Sequence, residues 1–158
     1  MKRGTTTSLK VAVLIIGIFV VAACIFGLPR LAVFSAESNP EYAYLKWPIL
    51  VGLNATALPF FLALYHAIKL LTFIESEEVF SSLTNISLSQ IKNCALTIFC
   101  LYIIGMIFLL MQNALHPGIA LIGMVICFVT IVIFLFTTVL QKLLQNAIDI
   151  KTENDLTV

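Results

Sequence analysis

Residues 119–140 read IALIGMVICFVTIVIFLFTTVL, without one charged side chain. As a helix rising 1.5 Å per residue, such a run spans the roughly 30 Å hydrocarbon core of a bilayer. Three further stretches share its character: 9–28, 49–73 and 94–111. None alternates apolar and polar residues at period two. The pattern therefore selects helices over a barrel, because a helix satisfies its own backbone hydrogen bonds where no water is at hand. The expected fold is an all-α membrane protein, a four-transmembrane-helix bundle forming a single domain over residues 1–158, with residues 141–158 as a helix extension and tail.

Composition agrees with this reading. Of the 158 residues, 61% are hydrophobic and only 11% charged, about half the charged fraction of an average soluble chain. The net charge of +1 supplies no basic surface to displace counterions from phosphates, so direct nucleic-acid binding is not expected. Orientation follows from the cations. Lys2, Arg3, Lys10, Lys69, Lys92, Lys142 and Lys151 fall on one side of the spans, Arg30 and Lys46 on the other. The positive-inside rule then places both termini in the cytoplasm. Tyr42, Tyr44 and Trp47 precede the second span on the outer side, where amphipathic rings serve as headgroup anchors.

The span boundaries carry helix signals. Asn39-Pro40-Glu41 reads as N-cap, first-turn proline and acid, with a bend expected near Pro48. Ser87-Leu88-Ser89-Gln90 fits a capping box opening the third helix. His116-Pro117 starts the fourth helix after a short loop, making helices three and four an antiparallel hairpin. The N-terminus has a second reading: Val21-Ala22-Ala23-Cys24 has the form of a lipoprotein cleavage box. Ile25-Phe26-Gly27-Leu28 would then follow the lipidated cysteine, a poor flexible tether, so an uncleaved first span is expected.

All eight acids lie outside the apolar spans, which disfavours a proton- or cation-coupled transporter needing an intramembrane carboxylate. The polar residues expected inside the bundle are Asn54, His66, Cys100 and Tyr102, with Lys69 near the inner boundary. At 100° per residue, Gly52, Pro59, Ala63, His66 and Lys69 share one sector of helix two, which is expected to face the other helices. Pro59 frees the Ala55 carbonyl and favours a kink. His66 reads either as a hydrogen-bonded packing residue or as a pH-sensitive switch. His66 and Cys100 fall at similar depths, but two ligands do not make a tetrahedral metal site. Cys24, Cys94, Cys100 and Cys127 read as small packing residues. No nucleophile-base pair, glycine-rich phosphate loop or paired carboxylate appears, so neither an enzyme nor a cofactor is expected.

Two inner-side elements offer docking surface. Ser76-Glu77-Glu78 reads as a short-helix start, followed by Val79, Phe80, Leu83 and Ile86. After the fourth span, Leu140, Leu143, Leu144, Ala147 and Ile148 keep helical periodicity beyond the membrane. The terminal run Glu153-Asn154-Asp155-Leu156-Thr157-Val158 suits either capture as an added strand or a frayed end.

The segments Pro40-Glu41-Tyr42-Ala43-Tyr44-Leu45-Lys46, Leu62-Ala63-Leu64-Tyr65, Val79-Phe80-Ser81, Gln90-Ile91-Lys92-Asn93-Cys94-Ala95 and Glu153-Asn154-Asp155-Leu156-Thr157-Val158 together resemble a bacterial four-helix membrane family, the domain of unknown function numbered 2975. Asn93 stands where that family often has an aromatic residue, and Trp47 where Tyr is common. The resemblance implies a multi-pass protein of the bacterial cell membrane, in a family often encoded beside a small Cro/C1-type helix-turn-helix regulator. It thus implies a non-enzymatic protein that binds or sequesters such a cytoplasmic regulator. Phe80, Leu83, Leu143, Ala147 and the Glu153 to Val158 tail are the expected contacts. The rival readings are a small-solute or peptide-handling protein, including self-protection against a membrane-active peptide, and an accessory subunit of a transporter; homo-oligomerisation is compatible with each. The orientation is directly testable. In a background without the four native cysteines, a cysteine introduced beside Val158 should resist an impermeant thiol label in intact cells and react after permeabilisation.

Overall fold

The computed structural model describes residues 3–76 and 79–156. Among them there is no strand: four long apolar helices alternate in direction. The first combines α1 (Arg3–Ala22), a π turn (Ala23–Gly27) and α2 (Leu28–Ser38) in one continuous rod. Pro29 explains the widened turn. Its ring lacks an N–H and would collide with the Ile25 carbonyl in a regular helix. The preceding turn opens instead, and the Leu28 amide bonds to the Ala23 carbonyl. The first span, expected to stop at residue 28, therefore continues ten residues further and carries Arg30 on its own helix.

Asn39 ends that rod and also stands at the N-cap of the next segment. Its carbonyl accepts from the Tyr42 amide at 3.0 Å, with Pro40 and Glu41 in the first turn, as read from sequence. Its amide and its side-chain Nδ2 both donate to the Ser35 carbonyl, at 3.0 and 3.4 Å. No side-chain cap bond is made forward into the following 3-10 segment, Pro40–Leu45. The backbone at Asn39 leaves the helical region, with φ −135° and ψ 78°, because the ring of the next residue disfavours that region there. Helix α3 (Lys46–Glu75) then runs unbroken through Pro59. Pro48 costs it nothing in hydrogen bonding, since the first four amides of a helix have no internal acceptor.

Helix α4 (Ser82–Met111) begins well before the expected capping box. Ser81 caps it, its Oγ accepting from the Thr84 amide at 3.3 Å. Ser87 sits inside the helix, buried, with its hydroxyl unpartnered. Two Ser-x-x-polar signals lie close together here, and the first one opens the helix. At the other end, the Ala114 amide bonds to the Leu109 carbonyl and the Asn113 amide to the Leu110 carbonyl, both at 3.0 Å. This is a Schellman stop. Asn113 takes the left-handed position, φ 55°, and Ala114 packs against Leu109 as that motif favours. Helix α5 (Pro117–Leu156) starts after the predicted His116-Pro117 step and runs for 40 residues, about 60 Å.

The helices pack chiefly in chain order, α1 on α3, α3 on α4 and α4 on α5. The last pair is the most extensive, as expected for the hairpin. Its seam on α5 runs through the buried residues Gly123, Cys127, Thr130, Thr137 and Leu144, a spacing close to the 3.5-residue repeat of antiparallel coiled helices. Small side chains there let the backbones approach, and the Met106 side chain fills the room above Gly123. The threonines burden the seam little, because Thr130 and Thr137 donate to carbonyls of their own helix at 2.7–2.9 Å.

The turn gives a clean test. Asn113→Gly should leave thermal stability in detergent nearly unchanged, whereas Asn113→Val, forced into the left-handed region, should cost about 1–2 kcal/mol and lower the melting midpoint.

Candidate functional site

Four alternating traverses bring both chain ends to one end of the bundle. There the Lys10 ammonium meets the Glu75 carboxylate, tying the start of α1 to the end of α3. Helices α4 and α5 are stitched by Lys92 Nζ donating to Gln141 Oε1 at 3.0 Å and Asn85 Nδ2 donating to Gln145 Oε1 at 3.1 Å. Gln145 in turn donates to Asp149 at 3.0 Å. These amides replace apolar packing where the hairpin leaves the apolar windows, and hold the two rods in register.

The stitched hairpin carries apolar side chains outward. Phe80, Leu83, Ile86, Leu143 and Ile150 are each about half exposed or more, while Leu144 is buried in the seam and Ala147 half-buried. Phe80 and Leu83 do not belong to one short helix, since Phe80 precedes the Ser81 cap and Leu83 lies in α4. The Ser76-Glu77-Glu78 start falls partly on residues 77 and 78, outside those described. Helix α5 continues through Leu156, so residues 151–156 are not the extended segment that strand capture requires. Thr152 Oγ1 bonds to the Ile148 carbonyl at 2.9 Å within that helix. Glu153 and Asn154 are exposed. Thr157 and Val158 lie outside the described residues, as do the side chains of Asp155 and Leu156.

Inside the bundle the expected polar set divides. Pro59, Ala63, His66 and Lys69 are half-buried on α3, as their shared sector predicts. His66 Nδ1 is buried without a partner, the Tyr65 ring lies edge-on at 5.2 Å, and Lys69 Nζ sits 5.8 Å over Phe73. Gly52 departs from the sector: it is exposed, with open space beside it. Asn54 also faces outward, satisfying its amide on the Leu50 carbonyl at 2.8 Å. Cys100 is exposed too, so it does not take the interior position expected of it. Tyr102 is half-buried, beside Thr56 of α3, with Cys24 of the π turn and Cys127 of α5 nearby. Among the described residues, no three His, Cys, Asp or Glu side chains converge as metal ligands.

At the opposite end, two tyrosines read from sequence as membrane anchors grip the α4–α5 turn. Tyr42 donates to the Asn113 carbonyl at 3.1 Å and Tyr44 to Gln112 Oε1 at 2.9 Å. Leu45, 2% exposed, plugs the same turn against Leu109 and Ala114. Trp47 keeps the exposed position expected of an anchor, with Lys46 Nζ 5.8 Å from its ring. Between α2, the start of α3 and this turn lies a cleft of about 220 Å³. Hydropathy gave no sign of it, because much of its wall, from Leu31 to Lys46, falls between the first two apolar windows.

Fold and site define a polytopic helical membrane protein. Residues 30–158 match the family described as "Protein of unknown function (DUF2975)", and the chain belongs to that family. It is also 49% identical, over 160 residues and 100% of both chains, to the "Uncharacterized membrane protein YoaS" of Bacillus subtilis (strain 168). No solved structure matches it.

The Lys10–Glu75 pair predicts a reciprocal effect. Lys10→Glu or Glu75→Lys alone should lower the melting midpoint by setting like charges together, and the double swap should recover most of the loss, a coupling of about 0.5–1 kcal/mol.

Proposed function

We propose that this protein is a non-enzymatic regulator of the bacterial plasma membrane, which holds a soluble DNA-binding regulator of the helix-turn-helix class at the cytoplasmic surface. One observation carries the reading: the α4–α5 hairpin extends past its apolar windows, is locked by the Asn85–Gln145 and Lys92–Gln141 bonds, and presents Leu83 and Leu143 outward. A rigid helical face with apolar anchors suits helix-mediated recognition, because little side-chain or backbone freedom is lost on docking. The partner's class is the one implied by the family resemblance. The cation distribution supports a cytoplasmic location for this end. An enzyme role finds no nucleophile with a base beside it in the sequence.

Sequestration lowers the regulator's free concentration by mass action, and release requires a change in the docking face. The unpartnered His66 Nδ1 and the half-buried Lys69 lie on α3, which packs directly on α4. A shift of α3 would therefore reach the hairpin through α4.

A photo-crosslinking residue at position 143 should capture a DNA-binding protein in living cells. Leu83→Asp and Leu143→Asp should each reduce capture by about tenfold or more, as loss of an apolar anchor does at interfaces, and change expression from the regulator's promoter. Crosslinks confined to lipid, to copies of this chain or to a transporter subunit would sink the proposal.

A further inference from the structure

The cleft opposite the chain termini has an ordered polarity. Helix α2 runs toward that membrane surface and α3 runs away from it. Leu28 and Leu53 therefore mark the cleft's deep end, while Asn39, Lys46 and His116 stand at its mouth. The intervening wall, including Leu31 and Leu50, is apolar. From Lys46 to Leu53 the helical rise is about 10 Å. A cleft that is cationic at the surface and hydrocarbon-like below complements a molecule with an anionic head and a narrow apolar chain.

Charge and access narrow the occupant. Lys46 is the one charged residue lining the cleft; Glu37 and Glu41, the acids nearest in sequence, do not line it. Lys46 forms no ion pair among the described residues, its recorded contact being the Trp47 ring. The first rod packs on α3 and makes no extended contact with α5, so the cleft has a side opening between them at bilayer depth. The volume of about 220 Å³ lies below the roughly 300 Å³ at which drug-sized pockets begin, room for the upper part of one chain rather than for two.

We infer that this cleft is a binding site for an anionic phospholipid of the surrounding leaflet, with one acyl chain between α2 and α3 and the headgroup phosphate at Lys46. The second chain stays in the bilayer, through the side opening. The site is independent of the cytoplasmic docking face and stands or falls separately from it. Binding there wedges the distal half of the first rod against α3, so the lipid composition of that leaflet sets the spacing between the two.

Native mass spectrometry of the full-length protein, delipidated and then titrated with palmitoyl-oleoyl-phosphatidylglycerol or the matching phosphatidylcholine, tests the site. The anionic lipid should be retained preferentially, and Lys46→Gln should reduce that preference by about fivefold, the share of one lysine near an anionic surface. Leu50→Trp should block retention of either lipid by filling the cleft. Leu31→Trp, at a position already 64% exposed and so tolerant of bulk, serves the same purpose if the first variant does not fold. Arg30→Gln, at an outer cation that does not line the cleft, should leave retention unchanged. Equal retention of the two lipids by the wild type, or an equal loss with Arg30→Gln, would overturn the site as diffuse surface attraction. Displacement of the phospholipid by micromolar oleate would overturn it in favour of a free amphiphile.

Discussion

Hydrocarbon offers the peptide group no partner, and every irregularity in this protein is shaped by that constraint. Pro29 removes a donor and blocks an acceptor, and the helix answers by widening one turn rather than ending. Asn39 folds its side chain back onto the Ser35 carbonyl where the first rod stops. Asn54, Thr130 and Thr137 place polar atoms in apolar spans only by spending them on carbonyls of their own helix. The tight α4–α5 turn closes its last carbonyls with backbone amides and is then sealed by Leu45 and two tyrosines. Each device keeps the rods intact, and intact rods are what the packing acts on.

Packing then proceeds along the chain rather than around a closed ring. The α4–α5 hairpin is the most firmly specified unit, with small residues at heptad spacing, a stop motif at one end and amide stitches toward the other. Helix α3 joins it along α4, with Thr56 beside Tyr102, and the first rod packs on α3 and on the 3-10 segment that leads into it. Rigidity is therefore graded, greatest at the hairpin and least at the first rod. Both candidate sites follow this gradient: the docking face lies on the stiffest element, and the cleft lies beside the least constrained one.

The four spans, the His116-Pro117 start and the hairpin were legible because length and proline chemistry are local properties. The direction each residue faces was not. In water, polarity marks the outside of a helix; in lipid, the outside is as apolar as the inside, so Asn54 and Cys100 carried no sign that they face outward. The Tyr42 and Tyr44 contacts were hidden because a tyrosine near a span end satisfies two descriptions, headgroup anchor and turn clamp, and only the placement of Gln112 and Asn113 separates them. Ser81 was overlooked for a different reason: α4 begins well outside its apolar window, where hydropathy says nothing about helix ends. Cys127 read as a small packing residue, yet the full α5 seam from Gly123 to Leu144 emerges only opposite α4.

The π turn over Ala23–Gly27 holds one residue more than an ordinary turn would accommodate. With 3.6 residues per turn, that surplus offsets the azimuth of all that follows by about 100°. The stripe that α1 lays against α3 is thus re-phased in α2, whose Val33 and Phe34 are exposed. A single deletion within the turn would re-phase the far half and swing a different set of side chains toward the neighbouring rod, so this segment acts as a vernier between the two leaflets.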